Sequence, residues 1–152
     1  MSMFLPPFEG RLSRRQYWIG NLVLIGLGVL AAVILIVAFV VSGGVLAEER
    51  TTGEKLVSMA LVIAILVPWS ALVVKRTRDL DYPLWTAALC LGAVVLDLLL
   101  DLAGVRYLTG LAGWFAAILF ALNVVWSVGV LGFVRGTDGP NHHGPDPLGP
   151  AT

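Results

Sequence analysis

The sequence predicts an all-α membrane protein, with four transmembrane helices in an antiparallel bundle. Three observations carry that expectation. Of the 152 residues, 58% are hydrophobic and 13% charged, whereas a soluble domain carries about 25% charge. The apolar residues gather in four continuous runs, each close to or above the ~20 residues that cross ~30 Å of hydrocarbon. The charges gather in the short stretches between those runs. Alternation is absent, and the runs are about twice the length of a barrel strand. A chain in lipid must satisfy its own backbone, which leaves helices.

The first run covers Tyr17–Val41. Ser13 and Gln16 form an S-x-x-Q capping box, so its helix starts at Arg14. Gly10 permits a sharp turn just before the cap. Residues 1–13 form an arm in which Pro6 and Pro7 prevent helix and Phe4, Leu5 and Phe8 suit the membrane interface. A small-residue cleavage pattern, Val45 and Ala47, follows the run. Its apolar core exceeds the ~7–15 residues of a signal peptide, so the run is read as a retained span. The second run is Leu56–Val74, with Pro68 placed to kink it.

The third run is Pro83–Leu102. Asp97 and Asp101 lie four residues apart and share a face. Asp97 falls roughly 21 Å along this helix, in a core ~30 Å thick; it reads either as an outer-boundary acid solvated by bilayer thinning or as a proton or cation site, since intramembrane acids are functional candidates. Asn123 of the fourth run and Arg106 are its candidate partners. The fourth run is Tyr107–Val134. The helical domain therefore covers residues 14–135, and the Gly- and Pro-rich residues 136–152 form an irregular tail.

Orientation follows from lysine and arginine. Arg11, Arg14 and Arg15 precede the first run; Lys75, Arg76 and Arg78 separate the second and third; Arg135 follows the fourth. The other side holds Arg50, Lys55 and Arg106. This split places both termini and the central loop in the cytoplasm. Tyr17, Trp18, Tyr82 and Trp85 fall at the inner boundary as interface anchors, with Tyr107 at the outer one. Small residues spaced by four, Gly28/Ala32 and Ala88/Gly92, suit close helix approach.

Several functions find no support. The formal net charge is zero, unlike a nucleic-acid binder. There is no G-x-S-x-G elbow, P-loop or H-E-x-x-H, so no enzyme and no cofactor are expected. His142, His143, Asp138 and Asp146 match no metal-ligand spacing, and no metal is expected. Cys90, the single cysteine, sits in an apolar run with no histidine to activate it.

Three blocks go further. "FEGRLSRRQYW" opens the first helix, "VKRTRDLDYPLW" fills the central loop and "GPNHHGPDP" lies in the tail. They resemble the bacterial inner-membrane family called domain of unknown function 805. Its pattern is a G-R-x-S-R-x-x-[YF]-W start, a K/R-R-x-x-D loop and an N-x-x-G-P-x-P tail. The matching positions are Gly10, Arg11, Ser13, Arg14, Tyr17 and Trp18; then Lys75, Arg76 and Asp79; then Asn141, Gly144, Pro145 and Pro147. The chain departs from it at Thr77–Arg78, where Leu-His is common, at Asp81, where Gly often stands, and at His142–His143, where Arg-Tyr is usual. The resemblance implies a fold and an inner-membrane location, and no reaction.

With all three blocks on one side, Arg11, Ser13, Arg14, Arg76, Asp79 and Asn141 are expected to form a cytoplasmic polar cluster. Two uses are open. Arginine forks onto Asp79 make a structural latch. Excess positive charge binds anionic lipid headgroups or a protein partner. The expected function is a non-enzymatic membrane module of this second kind. The alternative is a small transporter or proton pathway using Asp97. The sequence does not specify an oligomeric state.

Overall fold

The computed structural model describes residues 9–41, 52–102 and 110–149. The described chain is helical, with no strand among the described residues: α1 (Arg14–Val41), α2 (Thr52–Asp79), α3 (Leu84–Leu102) and α4 (Gly110–Val124). A π-helical segment, Val125–Val130, and a last turn, α5 (Leu131–Phe133), continue α4. Three stretches are long and apolar enough to cross a bilayer: Arg14–Ala38, Met59–Asp79 and Gly113–Phe133. A shorter apolar stretch, Leu84–Leu96, lies in α3. Arg50, Arg106, Tyr107 and the start of the N-terminal arm lie outside the described residues.

Helix α1 begins at Arg14 because the capping box forms. The Ser13 N–H donates to Gln16 Oε1 at 3.0 Å, and the Gln16 N–H points back to Ser13 Oγ at 3.4 Å. Two of the helix's first donors are thereby engaged.

Helix α2 departs from expectation. Its apolar run ends at Val74, but the helix continues to Asp79, so Lys75, Arg76 and Asp79 stand on a helix instead of in a loop. What ends it is a two-bond cap. The Asp81 N–H donates to Arg78 O, and the Tyr82 N–H to Thr77 O, both at 3.1 Å. Asp81 takes the left-handed conformation, φ +57°, that this cap requires after a helix. Glycine would adopt it freely; aspartate accepts it at a cost of about 1 kcal/mol. The connection to α3 is consequently only a few residues long, and the charged turn of α2 stays rigid.

At one end of the molecule α1 begins, α2 ends, α3 begins and α5 ends. The buried core lies at this end: Leu12, Tyr17, Leu24, Leu72, Val73, Leu80, Ala87, Cys90 and Leu131. Trp69, Tyr82 and Trp126 pack against it. Two glycines permit the close packing. A Cβ at Gly20 would lie 2.8 Å from both methyl groups of Leu72, and one at Gly132 would lie 2.7 Å from the Trp18 ring. The expected small-residue contacts contribute little: Gly28 has one neighbour, Ile65, at 3.4 Å, and Gly92 has none within 4 Å.

Candidate functional site

Arg76 occupies the middle of this packed end. Its position on the last turn of α2 aims the side chain between α1 and α5, where it has no solvent exposure. Nε donates to Leu131 O at 2.7 Å, Nη1 to Leu12 O at 3.2 Å and Nη2 to Val134 O. Nη1 also forms an ion pair with Asp79 one turn along the same helix. Leu131 and Val134 sit at the terminus of the α4–α5 helix, whose last carbonyls lack intrahelical partners and carry partial negative charge. Arg76 thus caps one helix while standing on another.

Arg11 approaches Asp79 from the other side. Its Nε donates to Asp79 Oδ1 at 3.1 Å, and Nη2 lies 3.0 Å from the same oxygen. Nη1 donates to Gly139 O at 2.6 Å, and Nη2 to Thr137 Oγ1 at 2.9 Å and to Thr137 O. One carboxylate therefore bridges two guanidinium groups, each oxygen facing a different arginine. The side chains of Arg11 and Asp79 are 1% and 4% exposed. Five backbone carbonyls complete the coordination of the two arginines. Charges removed from water this fully are tolerable only with such complete pairing.

The tail is tied to the same point. The Thr137 N–H donates to Asp79 O at 2.9 Å, and the Asn141 amide donates to Arg78 O at 2.9 Å and Thr137 Oγ1 at 3.0 Å. Asp146 folds the tail back on itself by accepting the N–H groups of Leu148 and Gly139, both at 2.9 Å. Those two bonds hold its carboxyl below the usual range. Gly136 passes so close to Asp79 that a Cβ there would lie 2.7 Å from the carboxyl carbon. Neither Gly136 nor Thr137 was expected at the site. Neither carries a side-chain signature; glycine matters here for space alone.

The other anticipated residues divide. Ser13 is buried and serves the cap. Arg14 remains exposed and donates to Phe133 O at 3.3 Å. Tyr17 turns inward, 2% exposed, and its hydroxyl donates to Ser127 O at 3.0 Å. That acceptor lies inside the π-helical segment, whose widened turn leaves room for an outside donor. Trp18 donates its indole N–H to Gly132 O at 3.0 Å and stacks edge-on against Phe133. Tyr82 lies against Trp126. Trp85, 61% exposed, faces outward.

Asp97 lies in α3, and its side chain lies outside the described residues. Asn123, one of its anticipated partners, donates its amide to Cys90 O at 2.8 Å. His142 and His143 approach Asp81, at 3.6 and 3.9 Å. Among the described residues no group of three or more His, Cys, Asp or Glu side chains is arranged to hold a metal ion.

An open cleft of about 40 Å³ adjoins the buried pairs. Its lining includes Ser13, Arg14, Arg76, Asp79, Arg135, Asp138 and Asp146. Arg135 pairs with Asp138 at 2.9 Å, both side chains at least 75% exposed.

The comparisons with known proteins agree with the three sequence blocks. Residues 6–145 match the family model described as "Protein of unknown function (DUF805)". The chain is 25% identical over 140 residues to the inner membrane protein YhaH of Escherichia coli strain K12, covering 92% of this chain and 86% of that protein. The same protein of Escherichia coli O157:H7 matches equally. No solved structure matches the chain. A helical polar end built from the start of the chain, its middle and its tail draws on nearly the whole matched length, and the chain belongs to the DUF805 family.

Proposed function

We propose that this protein is a non-enzymatic module of the inner membrane that holds the phosphate groups of lipid headgroups at its polar end. In this reading all four helices span the bilayer antiparallel to their neighbours. Both termini and the α2–α3 connection face the cytoplasm, a reading that the arginine and lysine distribution supports. The observation that carries the reading is the division of the arginines. Arg11 and Arg76 are spent on Asp79 and on backbone carbonyls. Arg14, Arg15 and Arg135 stay exposed beside them. Arg14 donates to Phe133 O, whose ring pairs with Trp18, and such aromatics suit the headgroup layer. Arginine at that depth binds phosphate as a fork.

Replacing Arg14, Arg15 and Arg135 with glutamine tests this directly. All three are exposed, so the fold should persist. Phospholipid phosphorus retained per mole of full-length protein after detergent exchange should fall about fivefold or more, since each near-surface arginine contributes about 1 kcal/mol. Undiminished retention by a monodisperse variant would remove the lipid reading and leave a protein partner as the use of that surface. The topology has its own test: cysteines at Thr52 and His142, in a chain lacking Cys90, should label from opposite sides of the membrane. A proton pathway through Asp97 is the second reading of the sequence. It requires that Asp97→Asn alter proton-driven flux in liposomes.

A further inference from the structure

The cleft beside the buried pairs is not a simple cationic pocket. Two of its lining residues, Arg76 and Asp79, are closed on each other. Of the remaining charged groups, Arg14 and Arg135 are matched by Asp138 and Asp146. Arg14 makes one long bond, to Phe133 O. Arg135 and Asp138 form a solvent-exposed pair, of the kind that contributes little and is easily exchanged. Asp146 accepts one N–H on each oxygen, and a carboxylate oxygen retains a second lone pair. A ligand carrying negative charge alone would meet two arginines and also two carboxylates. A ligand carrying both signs a short distance apart would satisfy all four.

We propose that this cleft binds a phosphoethanolamine group as the headgroup of a membrane lipid. The phosphate lies on Arg14 and Arg135, and the ammonium on Asp138 and Asp146. Insertion exchanges the weak Arg135–Asp138 pair for two charge-assisted contacts, one at each end of the zwitterion. The cleft is small, about 40 Å³, and open, so the headgroup lies across its mouth, with its charged ends on the lining side chains and the glyceryl portion in the bilayer. The buried arginines take no part, because freeing either one would leave one Asp79 oxygen without its partner. This inference rests on the lipid-phosphate reading and names the lipid.

The test compares phosphatidylethanolamine, phosphatidylcholine and phosphatidylglycerol of identical acyl chains, titrated onto full-length protein in detergent and counted by native mass spectrometry. Choline preserves both charges but removes every N–H donor; glycerol removes the cation. Ethanolamine lipid should be retained roughly tenfold over choline lipid, the worth of one or two hydrogen bonds to charged groups. Asp138→Asn, at an exposed position, should cut that preference severalfold. Equal retention of ethanolamine and choline lipids, or higher retention of glycerol lipid, overturns the inference. If the arginine variants still shed lipid, the phosphate reading survives that failure. A preference unchanged in Asp138→Asn overturns the assignment to this cleft. Soluble phosphoethanolamine should compete only weakly; displacement at equal concentration would mean that the ligand is not a lipid.

Discussion

The two ends of the described helices invert the usual rule of burial. At the polar end Arg76 is fully enclosed, and Lys75 and Asp79 are each 3% exposed. A few turns away along α1, Ile36 is 61% exposed and Val41 80% exposed. In water such an arrangement would not fold. In a bilayer it is reasonable, because lipid tails are as apolar as leucine and supply no hydrophobic drive for helices to associate. What gathers α1, α2 and the α4–α5 helix is then chiefly polar: a carboxylate shared by two arginines, helix-end carbonyls capped by Arg76 and close packing at Gly20 and Gly132. The lesson is that charge here performs the task that a greasy core performs in a soluble bundle.

The contrast can be broken at its strongest point. Asp79→Ala leaves two buried guanidinium groups without their counter-ion, and stability in detergent should fall by about 3–5 kcal/mol. A thermal melt within error of wild type would mean that the polar end does not hold the fold. Next in size, Gly136→Ala drives a methyl group against the Asp79 carboxyl group and should cost about 1–3 kcal/mol, read by the same melt. Smaller and sharper is a matched pair. Ser13→Ala removes the α1 cap and should cost about 1 kcal/mol. Ile36→Ala, on the exposed face, should stay within about 0.5 kcal/mol. If the isoleucine change proved the costlier, the outer part of α1 would have a protein neighbour after all.

The mildest effect is one of pH. The Asp146 carboxyl is held low by the Leu148 and Gly139 N–H groups, so its folded pKa lies beneath its unfolded one. The tail's stability from this source is present above the ordinary aspartate range and is lost as pH falls through the lower, folded value. Protection of the Gly139 and Leu148 amides against exchange, taken relative to the intrinsic rate at each pH, should fall as acid passes below about pH 4. Unchanged protection while the fold persists would assign the tail's order to Asn141 instead.

Much of the architecture was legible in the sequence because composition and capping act locally. The S-x-x-Q box set the start of α1 to the residue. The apolar runs read as helices, three of which are long and apolar enough to cross a bilayer, and the gathering of Arg11, Arg76 and Asp79 followed from the position of three short blocks. Less was legible wherever a distant surface decides the outcome. Tyr17 reads as a headgroup anchor, yet it turns inward because Ser127 O, 110 residues away, accepts its hydroxyl proton. Lys75 to Asp79 read as a loop, since the apolar run stops at Val74. Helix continued anyway, because Arg76 and Asp79 find partners only at helical spacing. Gly136 left no trace, for its contribution is the absence of a side chain.

The bond from Arg11 to Gly139 O joins residues 128 positions apart. A ribosome adding ~5–20 residues per second needs roughly 6–26 s to cover that interval. Throughout it Arg11 waits without the carbonyls of Thr137 and Gly139. The first helix is therefore committed to the membrane long before the residues that fasten it exist. Closure of the polar end is a final event in biogenesis, and a chain cut short before the tail carries its oldest arginine unsealed.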